Sequence, residues 1–210
     1  MKNANKPTTR LENRVQRQTQ ILDAARACVR VDGFAASLSR IAAQASMSGG
    51  HIYQYFETKE AIMIALCERD FEDFMLQMSH FGQHVASDRL AVIEALSSEI
   101  MSLFSHDRSA LTLEIIAEAE RNPKFLDLVL RADERIRSAF RTIIEPLLRG
   151  LTRQEIDERA ETLLVMARGL AIHMCMRPAS DYHLLAATFK FTLRGVLSAK
   201  SDDPEREGLR

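Results

Sequence analysis

Apolar positions recur at helical spacing along almost the whole chain. From about Arg14 to Val31, Val15, Leu22, Ala25 and Val29 fall at i, i+7, i+10 and i+14, with Ile21 and Cys28 beside them. Asp32-Gly33 ends that helix, glycine supplying a left-handed cap. Ser37 can cap a short helix, Leu38 to Ala45, with Leu38, Ile41, Ala42 and Ala45 on one face. After Ser46-Met47-Ser48, Ser48 can cap a third helix through Phe56, and Thr58 begins a long fourth one running to about His84. Ser87-Asp88 opens a fifth helix to about Ser105, and His106 to Ser109 separate it from Ala110–Arg121. Asn122-Pro123 starts the next, with Pro146 predicting a kink or early stop before Gly150. Thr152 and Glu155 have capping-box spacing and open a helix to about Met176. Arg177-Pro178 stops it, Ser180-Asp181 caps the last, and the chain from Asp202 reads as a polar tail. That makes about nine helices.

Composition agrees. Only 8 Gly and 5 Pro occur in 210 residues, half the roughly 12% of average usage, which excludes a turn-rich sandwich or barrel. Ala (26) and Leu (24) far exceed Val (8), as an all-α protein requires. Charged residues make up 27%, and no apolar run reaches the roughly 18 residues of a spanning helix. A soluble protein is expected, with no membrane partner. Cys28, Cys67 and Cys175 are odd in number and far apart, which argues against a disulfide framework and for a reducing cytoplasm. No charged-then-apolar-then-small pattern opens the chain, so no secretory signal is expected.

Local charge says more than the net of −1. Lys2, Lys6, Arg10, Arg14 and Arg17 face only Glu12 among residues 1–20, whereas residues 61–210 are net acidic. A basic start on an acidic body suits a polyanion partner, although a solvated tail has the same composition. The first three helices add a geometric reason. Two short helices split by a three-residue break, after a longer one, read as helix-turn-helix. Their apolar faces, closed by Ile52 and Phe56, make a small core and leave His51, Tyr53, Gln54 and Tyr55 outside to approach DNA.

The residues Gln20-Ile21-Leu22-Asp23-Ala24-Ala25, Gly33-Phe34, Ser37, Ile41-Ala42, Ala45-Ser46-Met47-Ser48, Gly50 through Phe56 and Thr58-Lys59-Glu60 resemble the TetR family of bacterial transcriptional regulators. The resemblance is dense over about residues 15–66. Downstream, Glu118 to Pro123 and the helix pair after Thr152 are similar to that family's effector domain. It implies a homodimer whose helix-turn-helix heads bind a palindromic DNA operator, and a small molecule in the C-terminal domain that releases it. The expected domains are 1–57, a helix-turn-helix head with a basic arm; 58–200, for ligand binding and dimerisation; and 201–210, a polar tail. By position, the resemblance places Ser37, Tyr53 and Lys59 on phosphates, with Arg40 and Gln54 near the backbone. It brings Ser39, Gly49, His51 and Tyr55 towards base edges, with Ser48 at the start of the recognition helix. Two departures stand out. Ser46 replaces the family's usual Gly, costing about 1 kcal/mol if φ is positive. His51 replaces a small Thr or Ser, so base preference does not carry over from relatives.

Other candidates have plain structural readings. His80 and His84 could share a helix face as metal ligands, but no third ligand matches, and His173 and Cys175 point to different faces. No metal or cofactor is expected. Met and Phe side chains along helices four to eight suit a largely apolar effector, with Phe74, Met78, Phe104 and His173 as candidate contacts, though such residues usually build cores. Ala167 and Ala171 on one late helix, and Phe189, Leu193 and Val196 on the other, mix small and large residues as a four-helix dimer interface would; intrachain packing is the alternative. No phosphate-binding loop or nucleophile motif supports an enzyme. A helical ligand-binding or protein-interaction module without DNA binding is the competing class. It leaves the basic arm, Tyr53 and Lys59 unexplained.

Overall fold

The computed structural model describes residues 10–83, 89–103, 106–176 and 182–198. These form nine α-helices and no strand: α1 Arg10–Asp32, α2 Leu38–Gln44, α3 Gly49–Ile52, α4 Lys59–Gln83, α5 Arg89–Leu103, α6 His106–Ala119, α7 Pro123–Ile144, α8 Arg153–Met176 and α9 Tyr182–Ser198. Two compact units divide inside α4, between Asp70 and Phe71.

In the first unit the caps follow the sequence. Gly33 has φ 60°. Ser37 Oγ accepts from Arg40 N–H and Ser48 Oγ from His51 N–H, each at 3.2 Å, and Thr58 Oγ1 accepts from Ala61 N–H at 3.0 Å. The core takes Ile21, Leu22, Ala25, Cys28 and Val29 from α1, Ile41, Ala42 and Ala45 from the α2 region, and Ile52 and Phe56 from the α3 region. Ile62, Met63, Leu66 and Cys67 of α4 complete it. Val15 is a correction: it is 55% exposed. Good helix formers carry α1 out to Arg10, so its first turns stand beyond the core that Val15 was expected to join. Two ion pairs of opposite polarity bind α1 to α4, Asp23 with Arg69 at 2.8 Å and Arg26 with the buried Asp70.

In the second unit, Phe74 and Met78 of α4 pack with Val92, Ile93 and Leu96 of α5, Phe140 and Ile144 of α7, and the buried faces of α8 and α9. The capping box forms: Thr152 N–H donates to Glu155 Oε2 at 2.6 Å, and Glu155 N–H to Thr152 Oγ1 at 3.3 Å. Pro146 stops α7 at Ile144 and sits in a 3₁₀ turn, Glu145–Leu147. A ladder of Asp133–Arg168, Arg137–Glu161 and Arg141–Asp157 ties α7 to antiparallel α8. The expected break at 106–109 is absent, because α6 already begins at His106. Nothing in those four residues is a helix breaker.

The late-helix stripe packs against its own chain. Ala167, Ala171, Phe189 and Leu193 are buried within the single chain, and Val196 is half-buried against the same core. Ala167, Ala171, Phe189 and Leu193 are thus covered by their own fold, and Val196 keeps part of its surface. The exposed faces lie elsewhere: Thr162, Val165, Gly169, Ile172 and Met176 on α8, and Leu184, Thr188, Phe191 and Gly195 on α9, with Thr192 beside them half-buried. Their 3-4 spacing is that of a helix-packing seam. The candidate ligand set does not converge either, since Phe74 and Met78 face the core while His173 is exposed. Phe104 and His84 lie outside the described residues.

Candidate nucleic-acid interface

The turn from α2 into α3 decides how α3 is aimed. Helix α2 ends in a Schellman motif: Met47 N–H donates to Ala42 O at 2.9 Å and Ser46 N–H to Ala43 O at 3.0 Å. Ser46 takes the left-handed position, with φ 54°. Glycine normally fills that place, since a Cβ there crowds the backbone. Ser48 then caps α3. Regular helix spans only Gly49–Ile52, shorter than expected, because the winding tightens. Tyr55 N–H bonds Ile52 O at 2.9 Å and Gln54 N–H bonds His51 O at 3.2 Å, both the shorter i to i−3 type.

Ile52 and Phe56 are buried beneath this short helix. Above them Tyr53 is 56% exposed, Gln54 is exposed, and Gly49, His51 and Tyr55 are partly so. The rings of His51 and Tyr55, one turn apart, lie 5.4 Å between centroids, tilted by 57°. Each thereby limits the other's rotamers. Nothing lies within 4 Å of a Cβ built on Gly49 or Gly50, so that edge is open to a close-approaching backbone. Ser37 and Ser39 are exposed together at the start of α2, their hydroxyls 2.9 Å apart.

Two of the expected cations have protein partners. Arg40 pairs with Asp32 at 2.8 Å. Lys59 Nζ donates to Phe34 O at 2.9 Å and is half-buried, so it closes the turn before α2. An ammonium has three donors, which leaves two for a phosphate. A further contact was not foreseen. Gln20 Nε2 donates to Ala45 O at 2.8 Å, and Arg17 Nη1 donates to Gln20 Oε1 at 2.9 Å. Helical periodicity puts Gln20 at the edge of the α1 apolar face, with no hint of its reach to the turn.

Comparison with known proteins decides the family. Residues 21–66 match the model of bacterial regulatory proteins of the tetR family, and residues 90–206 match the C-terminal model of BetI-type transcriptional repressors. The chain belongs to the TetR family. It is a transcriptional regulator with an N-terminal helix-turn-helix DNA-binding domain. It is 29% identical over 148 residues to the fatty acid metabolism regulator protein of Bacillus subtilis, covering 69% of this chain and 73% of that protein. It is 32% identical over 110 residues to the regulator UidR of Escherichia coli K12, but spans only 54% of that protein. The B. subtilis regulator FadR, solved with stearoyl-CoA, shares the fold with a TM-score of 0.66 at 22% identity, over 83% of this chain and 96% of that one. No helix among the described residues is long and apolar enough to cross a membrane.

Proposed function

We propose that this TetR-family protein is a homodimeric repressor that binds a palindromic operator and is released from it by a small apolar effector. The observation carrying this reading is the row of Gly49, His51, Tyr53, Gln54 and Tyr55, presented after a turn whose one strained residue, Ser46, is hydrogen-bonded in place. Ser39, Gly49, His51 and Tyr55 read base edges, and Ser48 caps the helix that carries them. Ser37, Arg40, Tyr53, Gln54 and Lys59 hold the backbone. The exposed seam of α8 and α9 supplies the dimer, Gly169 and Gly195 allowing close approach where nothing lies within 4 Å of an added Cβ. Two heads then read half-sites about 34–36 Å apart.

The effector belongs to the C-terminal unit. Its apolar class is supported by the relatives, one a regulator of fatty acid metabolism and one solved with stearoyl-CoA. Phe74 and Met78 are the α4 side chains that would repack around it. Such a ligand weakens operator binding only by its differential affinity for the two protein states.

Genomic SELEX with purified protein tests the DNA reading. An enriched palindrome with half-sites about one helical turn apart is the expected result. No enrichment from refolded, dimeric protein would reject it in favour of a ligand-binding module without DNA. With an operator in hand, stearoyl-CoA is expected to release the protein while coenzyme A alone does not. Equal release by both would reject an apolar effector.

A further inference from the structure

We propose that Gln20, which lies outside the helix-turn-helix pair, is a positioning residue for base reading. The proposal rests on the DNA-binding reading of the head. The Schellman bonds satisfy the carbonyls of Ala42 and Ala43, and Ala45 is left at the cap with a buried side chain and a carbonyl outside those two bonds. Gln20 supplies its donor at 2.8 Å. An amide can be turned either way, and here Arg17, donating to Oε1 at 2.9 Å, holds the NH₂ group towards Ala45. The next residue, Ser46, keeps φ at 54° without being glycine. A backbone in that region persists only where its surroundings over-determine it. Gln20 is the brace that reaches this turn from α1.

The consequence concerns specificity. A one-residue change in φ at Ser46 re-aims α3, and with it His51, Tyr53, Gln54 and Tyr55, whereas Ser37, Arg40 and Lys59, the other backbone contacts, lie outside that segment. Base-edge contacts demand that aim; phosphate contacts tolerate its loss. Removing the Gln20 donor should therefore lower discrimination between sequences without lowering general affinity for duplex DNA.

The experiment compares wild type with Gln20→Met, which keeps length and volume but has no donor, on the SELEX-selected operator and on a scrambled duplex, across a salt series. The expected result is a roughly tenfold weaker operator complex, an unchanged scrambled complex and an unchanged salt slope. The double variant Gln20→Met/Ser46→Gly should recover most of the loss, because glycine takes the left-handed conformation unaided. Equal weakening on both duplexes, or a slope shallower by about one charge, would mean that Gln20 acts on phosphate and would overturn the proposal. So would full operator affinity in Gln20→Met. Amide exchange supplies a readout without DNA: Met47 N–H should exchange at least tenfold faster in Gln20→Met and α4 amides should not. Uniform acceleration throughout the head would reduce Gln20 to a fold-stability role. Wild-type protein that prefers no sequence would instead defeat the DNA-binding reading, while the exchange arm still decides whether Gln20 braces the turn.

Discussion

Lys59 donates its ammonium to the carbonyl of Phe34 at 2.9 Å, so a side chain from the first turn of α4 closes the turn that launches α2. In the proposed DNA reading its role is double, structural through this donor and phosphate-binding through the others. Lys59→Met should lower stability by about 1 kcal/mol, the net worth of a hydrogen bond. It should also weaken operator and scrambled duplex alike, with a salt slope shallower by about one. Urea denaturation and anisotropy titrations separate the two effects. An unchanged urea midpoint would show that the Phe34 contact is not formed in solution.

Ser46 offers a test of backbone strain. Its φ of 54° costs an L-residue about 1–2 kcal/mol, and glycine removes that cost while adding unfolded-state entropy of up to about 1 kcal/mol. Ser46→Gly should therefore stabilise the head, by up to about 2 kcal/mol. Ser46→Val, β-branched in the same conformation, should destabilise it by at least as much. Urea midpoints for both variants check the signs, and a stabilising valine would contradict the turn geometry.

Much of this was legible in the sequence because its signals are local. Ser37, Ser48, Thr58 and Thr152 cap their helices as their spacing predicts, and Pro146 stops α7. The family motif fixed the helix-turn-helix and its outward face. What the sequence hid depends on partners distant along the chain. Gln20 meets Ala45, and Lys59 meets Phe34, across 25 positions each. The late helices were ambiguous for another reason. Both faces of α8 carry apolar residues at helical spacing, and periodicity alone does not say which face its own fold covers. Ala167 and Leu193 went inside while Val165 and Phe191 stayed out.

Cys67 gives the molecule an alkaline limit. Burial pushes its thiol from 9.0 up to about 12, with the Glu68 charge adding to the effect. The folded state thus favours the protonated thiol. Stability is therefore unaffected below pH 9 and falls as pH rises from 9 towards 12, where the unfolded thiol ionises and the buried one does not, by about 1.4 kcal/mol per pH unit. Cys67→Ala should lower stability at pH 7 through its small cavity, yet lose less than wild type between pH 9 and 10.5. Parallel pH profiles of the two proteins would place the thiol in water.

His51 in α3 and Tyr53 at its C-cap lie two residues apart and are expected to fail differently. His51→Ala frees the Tyr55 ring and, in the proposed reading, removes a base-edge contact. It should cost about 1–3 kcal/mol on the operator and relax preference at a few base pairs. Tyr53→Phe removes what the proposed reading makes a phosphate donor, so it should weaken all duplexes equally, with little change in preference. Repeating SELEX with each variant distinguishes them. An unchanged motif for His51→Ala would remove that side chain from base reading.

The two apolar faces of α8 and α9 can be separated by charge. Val165 and Phe191 are 58% and 77% exposed, whereas Ala167 and Leu193 are buried. An exposed glutamate on a monomer costs almost nothing, but at the centre of a helix seam it must be desolvated twice by symmetry. Phe191→Glu should therefore give a folded monomer, with unchanged helical circular dichroism and half the mass by sedimentation. Operator affinity should then fall towards the non-specific level, because one head reads only one half-site. Leu193→Glu puts the same charge into the core and should unfold the C-terminal unit instead. If Phe191→Glu stays dimeric and Leu193→Glu gives a folded monomer, the interior and outer faces have been assigned the wrong way round.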